Sequence, residues 1–185
     1  MSDVDEKMDK DDFRIIHLFL ALKGIRKITS DAHNRFKDVM EHEGYDDSDV
    51  KEAGRSTMGI LSVCDTDGDR EEEIRHQLEK YSNGSAIKKG NTVHNRNMLW
   101  TLINLSFAYG TYSKAKQRLV HLYASKIGLD KSYVLEMEAF ERTRESIIEE
   151  QKELEKNPSS NEVQEELDKN QRILEKQISD LVLLG

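Results

Sequence analysis

Residues 133–184 read YVLEMEAFERTRESIIEEQKELEKNPSSNEVQEELDKNQRILEKQISDLVLL. Side chains at alternating spacings of four and three form two stripes here, the heptad pattern of helices that pack against each other. Residues 157–160 separate the stripes, and their proline predicts a turn because proline interrupts a helix. Residues 131–185 are therefore predicted to form an antiparallel helical hairpin. The two stripes consist of Tyr133, Met137, Phe140, Arg144, Ile147, Gln151, Leu154 and of Val163, Leu167, Asn170, Leu174, Gln177, Leu181, Leu184.

The stripes of this hairpin contain several polar residues, which weaken it as an isolated unit. Arg144, Gln151, Asn170 and Gln177 either fix the register of the two helices or contact a further partner. The alternative is a solvated hairpin with frayed ends. The last stripe continues into Leu181 and Leu184, an apolar run that predicts an interface because exposed apolar patches promote aggregation.

The rest of the chain is also predicted to be helical. Charged residues make up 35% of the 185 residues, and there is one proline, a composition typical of an all-α protein. Glycines mark helix ends, and Thr29 and Ser113 stand where helices begin. Asp46, Asp47 and Ser48 are the candidate caps of a further helix. We expect residues 1–12 to be a flexible acidic leader and residues 13–130 to form a helical bundle. Residues 82–97, rich in Ser, Asn and Gly, are predicted to be a long exposed loop within it.

Composition and charge exclude several classes of protein. The net charge of −8 argues against a nucleic-acid partner, because phosphate binding needs a cationic surface. No long apolar run predicts membrane insertion, and the acidic start of the chain is unlike a secretory signal. A single cysteine, Cys64, excludes an internal disulfide. These features predict a cytoplasmic protein.

A segment of the second half resembles a known family. The sequence LWTLINLSFAYGTYSKAKQRLVHLYASKIGLDKSYVLEME, residues 99–138, is similar to the TerB-like family associated with tellurite resistance. The resemblance implies a compact helical binding domain, a role in stress response and a metal site built from acidic residues. This chain has Tyr109, Lys114 and Lys116 at the acidic positions, so we expect no metal there, since a divalent cation needs several carboxylates. The matching residues are Ala108, Gly110, Ser113, Leu119, Gly128, Leu129 and Asp130.

One short acidic segment suggests calcium. Residues 65–69 alternate carboxylates like the start of an EF-hand loop, but Arg70 and His76 stand where that loop requires Gly and Glu. A turn with Asp69 capping the next helix explains the same residues. The six histidines show no paired ligand spacing, and Cys64 is expected to be a buried structural thiol. No catalytic signature is present, so no catalytic residue, metal or cofactor is predicted.

Two tyrosines flank a glycine turn in the second half. Tyr109 and Tyr112, with Lys114, Lys116 and Arg118 alongside, could form an aromatic and basic patch that binds a partner. The alternative is that Tyr112 packs locally against the helix that Ser113 caps.

The sequence therefore predicts a non-catalytic protein that binds a partner protein, or a second copy of itself, through the C-terminal hairpin. The predicted partner-binding residues are Tyr109, Tyr112, Arg118, Arg144, Asn170, Gln177, Leu181 and Leu184. The alternative function is a divalent-metal-responsive stress protein that uses residues 65–69.

Overall fold

The computed structural model describes residues 7–83, 92–108, 112–156 and 161–184. These residues form eight α-helices and no strand, which confirms the all-α prediction. A short 3-10 turn, Ile25–Lys27, joins the first two helices. The helices are α1 Lys10–Leu20, α2 Ser30–His42, α3 Asp47–Leu61, α4 Asp67–Asn83, α5 Thr92–Phe107, α6 Lys114–Lys126, α7 Lys131–Lys156 and α8 Asn161–Leu184.

The predicted capping residues begin three of these helices. Thr29 Oγ1 accepts a hydrogen bond from the Ala32 amide at 3.2 Å, and Ser113 caps α6 in the same way. The Asp46 carboxylate accepts hydrogen bonds from two amides of α3, and the Asp49 carboxylate accepts one from the Asp46 amide. Each bond satisfies a helix-terminal N–H that has no partner within the helix.

The chain divides into two compact units, Met1–Lys131 and Ser132–Gly185. In the first unit α1 is central and contacts α2, α3, α4 and α5. Its Phe13 ring packs edge-on against Phe36 and Tyr45, with ring centroids 6.1 Å and 5.0 Å apart. Nearly all of α1 is buried because apolar residues surround the helix on most sides.

The expectation of a flexible leader over residues 1–12 is wrong from Lys7 onward, and residues 1–6 lie outside the described part of the chain. Met8 and Asp12 are buried. Asp9 and Asp12 form a reciprocal capping box that begins α1 at Lys10. The acidic composition reflects helix capping, since carboxylates stabilise the first turn of a helix.

The predicted loop over residues 82–97 is wrong at both ends. Helix α4 continues to Asn83 and α5 begins at Thr92, while residues 84–91 are outside the described residues. Three polar residues in the first turns of α5, His94, Asn95 and Arg96, are buried rather than exposed. His94 Nε2, for example, lies 3.4 Å from Asp12 Oδ2. The polar composition of this segment suggested an exposed loop. Polar side chains can also be buried in a helix when they have a charged or hydrogen-bonding partner.

The heptad register predicted for α8 is also corrected. Asn170 and Gln177 belong to the predicted stripe and were expected either to fix the register or to contact a further partner. Both are exposed, so they do not fix the register by burial against α7. Leu167, Leu174 and Ile178 are buried, and Gln171 is half-buried between them. Leu167 and Leu174 belong to both registers, so the spacing alone does not distinguish them. Burial of Ile178 in place of Gln177 removes more apolar surface from water.

Candidate functional site

The predicted aromatic and basic patch does not form as expected. Tyr109 lies outside the described residues. The half-buried Tyr112 ring stacks on Phe107, with centroids 4.6 Å apart and planes 24° from parallel. Arg118 donates to both carboxylate oxygens of Glu71, at 2.8 Å and 2.7 Å. Tyr112 therefore packs within the chain, and the Arg118 charge is paired with an acid of α4.

Lys116 occupies a position where the TerB-like resemblance would place an acid, and it is buried. Its Nζ donates to the carbonyl of Ser106, in the last turn of α5, at 2.6 Å. Burial, with a smaller contribution from the nearby Lys23 charge, lowers the pKa of Lys116 to about 7. The side chain links α5 to α6 rather than facing a ligand, a role that a lysine in a sequence does not reveal.

Hydrogen bonds link α7 to α8 at two levels. Tyr133 Oη donates to the Leu181 carbonyl at 2.7 Å. Eighteen residues further along α7, Gln151 Nε2 donates to Asp168 Oδ1 at 3.3 Å and Gln171 Oε1 at 3.0 Å. The partners thus occur in opposite order along the two helices, as in an antiparallel pair. The turn predicted at residues 157–160 is outside the described residues.

The remaining predicted residues of these helices differ in their surroundings. Half-buried Arg144 pairs within α7, with Glu141 Oε1 at 3.1 Å and Glu145 Oε1 at 3.7 Å. Leu181 is half-buried and Leu183 is 51% exposed. The Leu184 side chain is not among those described.

Exposed Asn170 and Gln177 line a shallow cleft between α7 and α8 with a volume of about 360 Å³. Ile173, which is 48% exposed, stands between them on the same face of α8. Thr143, Ser146 and Glu150 line the opposite side, at the same three-and-four spacing along α7. The only charged residue of the lining is Glu150, whereas charged residues make up 35% of the chain. A cleft between two helices with so few charged residues is suited to a packed helix rather than to a charged ligand.

The acidic segment at residues 65–69 is engaged in helix capping. The Thr66 hydroxyl accepts from the Asp69 amide at 3.1 Å, and the Asp69 carboxylate accepts from the Thr66 amide at 2.9 Å. Arg70 pairs with Asp67 and so places a cation among the carboxylates. Within the described ranges, no group of three or more His, Cys, Asp or Glu side chains is arranged to hold a metal. The carboxylates of this segment therefore take part in capping α4 and in pairing with Arg70.

Cys64 is half-buried rather than fully buried as expected. Burial is the main cause that raises the pKa of its thiol, with Glu73 and Asp69 adding to the shift. A raised pKa reduces the thiolate fraction and therefore the nucleophilicity of the sulfur.

A buried polar cluster at the centre of the first unit was not predicted. Tyr81 Oη donates to Asp12 Oδ1, and Asp12 Oδ2 faces His94. Burial is the largest cause that raises the pKa of Tyr81, so the phenol stays protonated and can donate. The cluster joins α1, α4 and α5, and the only sequence signal was the Asp9 and Asp12 spacing of a capping box. Polar contacts that span three helices in this way specify core packing.

Comparisons with known proteins found no match to a family model, a curated protein or a solved structure. The TerB-like resemblance consequently stays a prediction from the residues that carry it. No helix in the described ranges is long and apolar enough to cross a membrane.

Proposed function

We propose that this chain is a non-catalytic protein-interaction protein whose cleft between α7 and α8 binds a helical segment. The observation that carries the proposal is the stripe formed by Asn170, Ile173 and Gln177 on the exposed face of α8. It runs beside the buried stripe of Leu167, Leu174 and Ile178. A helix with two adjacent stripes of this kind packs against one neighbour and offers the second stripe to another.

A second copy of the chain is the first occupant to test. Asn170 and Gln177 carry both donors and acceptors, so the same amides can pair with their equivalents across a two-fold axis. Uncharged polar groups within a mainly apolar helical interface select register and oligomeric state at some cost in stability. Another helical protein is the alternative occupant of the same cleft.

The TerB-like resemblance and a cytoplasmic location belong to this proposal. The residues around Gly110 and Gly128 support the first. The single cysteine supports the second, since disulfide-bonded frameworks are typical of secreted domains.

The test compares two apolar-to-acid substitutions, Ile173→Glu inside the cleft and Leu135→Glu outside it. Leu135 is 47% exposed, so the two changes are matched in chemistry and accessibility. We expect light scattering to show an oligomer for the unchanged chain and for Leu135→Glu, and a monomer for Ile173→Glu with unchanged helix content. A chain lacking residues 158–185 should also be monomeric.

Two results separate the possible occupants. A monomeric full chain that captures a helical protein, with capture lost only in Ile173→Glu, assigns the cleft to that partner. A monomeric full chain with no partner dependent on Ile173 contradicts the proposal.

A further inference from the structure

A second groove lies in the first unit, along α3. It has a volume of about 740 Å³, within the range of about 300–1,000 Å³ typical of binding sites. One bank is α3 itself, and the other is formed by the 3-10 turn and the start of α2. All of its lining residues belong to the unit Met1–Lys131, so it is separate from the cleft on α7 and α8.

The α3 bank presents cations next to an exposed thioether. Ser48, Lys51, Arg55 and Met58 occur at spacings of three, four and three, which places them on one face of the helix. Met58 is 57% exposed, and both cations are exposed. No ion pair of Lys51 or Arg55 is found within 4.0 Å in the described part of the chain, although the Lys51 charge helps Lys37 to lower the pKa of Asp47. Flexible methionines recur at surfaces that bind amphipathic helices.

The opposite bank adds apolar surface and the start of a helix. Ile25 and Ile28 line it with half-buried side chains. Thr29 and Ser30 mark the start of α2, where the helix dipole carries a partial positive charge, and His33 follows one turn later. No acidic side chain is among the described residues that line the groove, although the whole chain has a net charge of −8.

The floor of the groove is neutral. His17 is 5% exposed, and its Nδ1 lies 3.0 Å from Thr57 Oγ1. Burial, with the nearby His33 as a smaller cause, lowers the pKa of His17 to about 4, so the imidazole is uncharged at neutral pH. Gly54 lies directly over it, since a Cβ on that glycine would stand 3.8 Å from the His17 ring. The missing side chain leaves the groove open down to the imidazole.

We infer that this groove binds an acidic, amphipathic helical segment of another protein. The apolar surfaces of Ile25, Ile28 and Met58 receive its apolar side chains, and Lys51 and Arg55 pair with its carboxylates. The α3 bank is about 15 Å long between Ser48 and Met58, the length of roughly three helical turns. A local cationic groove on an acidic protein selects for such a partner, because the remaining surface repels it.

The experiment measures binding of a fluorescein-labelled helical peptide to the full chain by anisotropy. The peptide has about 14 residues, or four turns, with leucines at three-and-four spacing and glutamates flanking them. A matched peptide has every glutamate replaced by glutamine. We expect micromolar, salt-sensitive binding of the acidic peptide and weaker binding of the neutral one.

Three variants locate the binding. Arg55→Glu should weaken it about tenfold or more, the loss expected for a charge-assisted contact. Met58→Ser should also weaken it, without a change of charge. Lys80→Glu is the matched control, because Lys80 is exposed, lies outside the groove and undergoes the same charge change. Ile173→Glu should leave binding unchanged, which separates this inference from the proposed function.

Several outcomes would overturn the inference. They are no binding of the acidic peptide, equal binding of the neutral peptide, or equal losses in Arg55→Glu and Lys80→Glu. Saturable binding of decanoate without binding of the peptide would assign the groove to a small carboxylate instead. A dimer that Arg55→Glu disrupts, without peptide binding, would assign it to a second copy of the chain.

Discussion

The two compact units bury their apolar side chains to different depths. In the first, Ile16, Leu18, Phe36 and Leu78 are completely inaccessible to water. In the second, Val134 and Met137 near the start of α7 reach that depth, whereas five further core residues keep 6–9% of their surface exposed. These five are Ile147, Leu167, Leu174, Ile178 and Val182. Of the six large apolar side chains that are exposed in the described residues, four belong to the second unit.

This difference in burial suggests that the first unit provides stability and the second unit binds partners. A deep core resists local opening, so the first unit can hold a preformed groove. Apolar side chains that are partly exposed to water favour association, because a partner that covers them removes apolar surface from water. The second unit is therefore the better candidate for association, and paired substitutions in the two units can test the contrast.

The largest expected effect compares one substitution in both units. Leu78→Ala should destabilise the first unit by about 3–5 kcal/mol, because removing this deeply buried side chain leaves a cavity. Leu174→Ala should cost at most about 2 kcal/mol, since its site is close to the surface and can collapse. Urea unfolding followed by Trp100 fluorescence reports the first unit, and hydrogen exchange of α8 amides reports the second. Equal losses would show that the two cores are equivalent.

The buried cluster provides the next test. Asp12→Ala removes a capping-box residue and the acceptor of Tyr81, and should cost about 2–4 kcal/mol in total. Asp49→Ala is the matched control, because Asp49 has the same position in the capping box of α3. Asp49 is partly exposed and pairs with Lys10 at 3.0 Å, so its loss should cost about 1 kcal/mol. Similar costs for both variants would show that the cluster contributes little beyond the cap.

Local rules predicted the helices and their caps. Thr29, Asp46 and Ser113 were identifiable because a hydroxyl or carboxylate preceded each apolar pattern, and capping depends on neighbouring residues alone. The start of α5 was missed because His94 is buried next to Asp12, a contact between residues far apart in sequence. The register of α8 was missed because leucines at the same positions satisfy two registers.

The candidate sites were predictable only in part. Asn170 and Gln177 were named from a heptad stripe, and they do line the cleft, but on the exposed side of α8. The groove of the first unit joins His17, the segment from Ile25 to His33 and the face of α3. Its lining residues come from three separate stretches of sequence, so no local pattern indicates that they converge.

Lys116 lies in the first unit and should make the stability of that unit, but not of the second, depend on pH. Its pKa is lowered to about 7 in the folded state by burial, compared with 10.5 for an ordinary lysine. Between these values the unfolded chain binds more protons, so the contribution to stability rises with pH and is lost as pH falls toward 7. The stability of the unchanged chain relative to Lys116→Met should therefore increase by roughly 1–2 kcal/mol from pH 7 to 9.

The readout for Lys116 is the urea midpoint from Trp100 fluorescence across that pH range. Exchange of α8 amides, which belong to the other unit, should show no corresponding difference between the two proteins. Parallel midpoint curves for the unchanged chain and Lys116→Met would mean that the buried amine has an ordinary pKa.

The smallest expected effect concerns two glycines of the first unit. Gly59 lies within α3, and a Cβ there would have no atom within 4 Å, so Gly59→Ala should stabilise the unit by about 0.5–1 kcal/mol. Gly128 ends α6 with a φ of 79°, which an L-residue adopts only at a cost, so Gly128→Ala should destabilise by about 1 kcal/mol. Opposite shifts of the Trp100 unfolding midpoint are expected, with α8 exchange unchanged in both. If Gly59→Ala also protects α8 amides, the units share one unfolding transition, and the contrast in burial depth would not correspond to a contrast in stability.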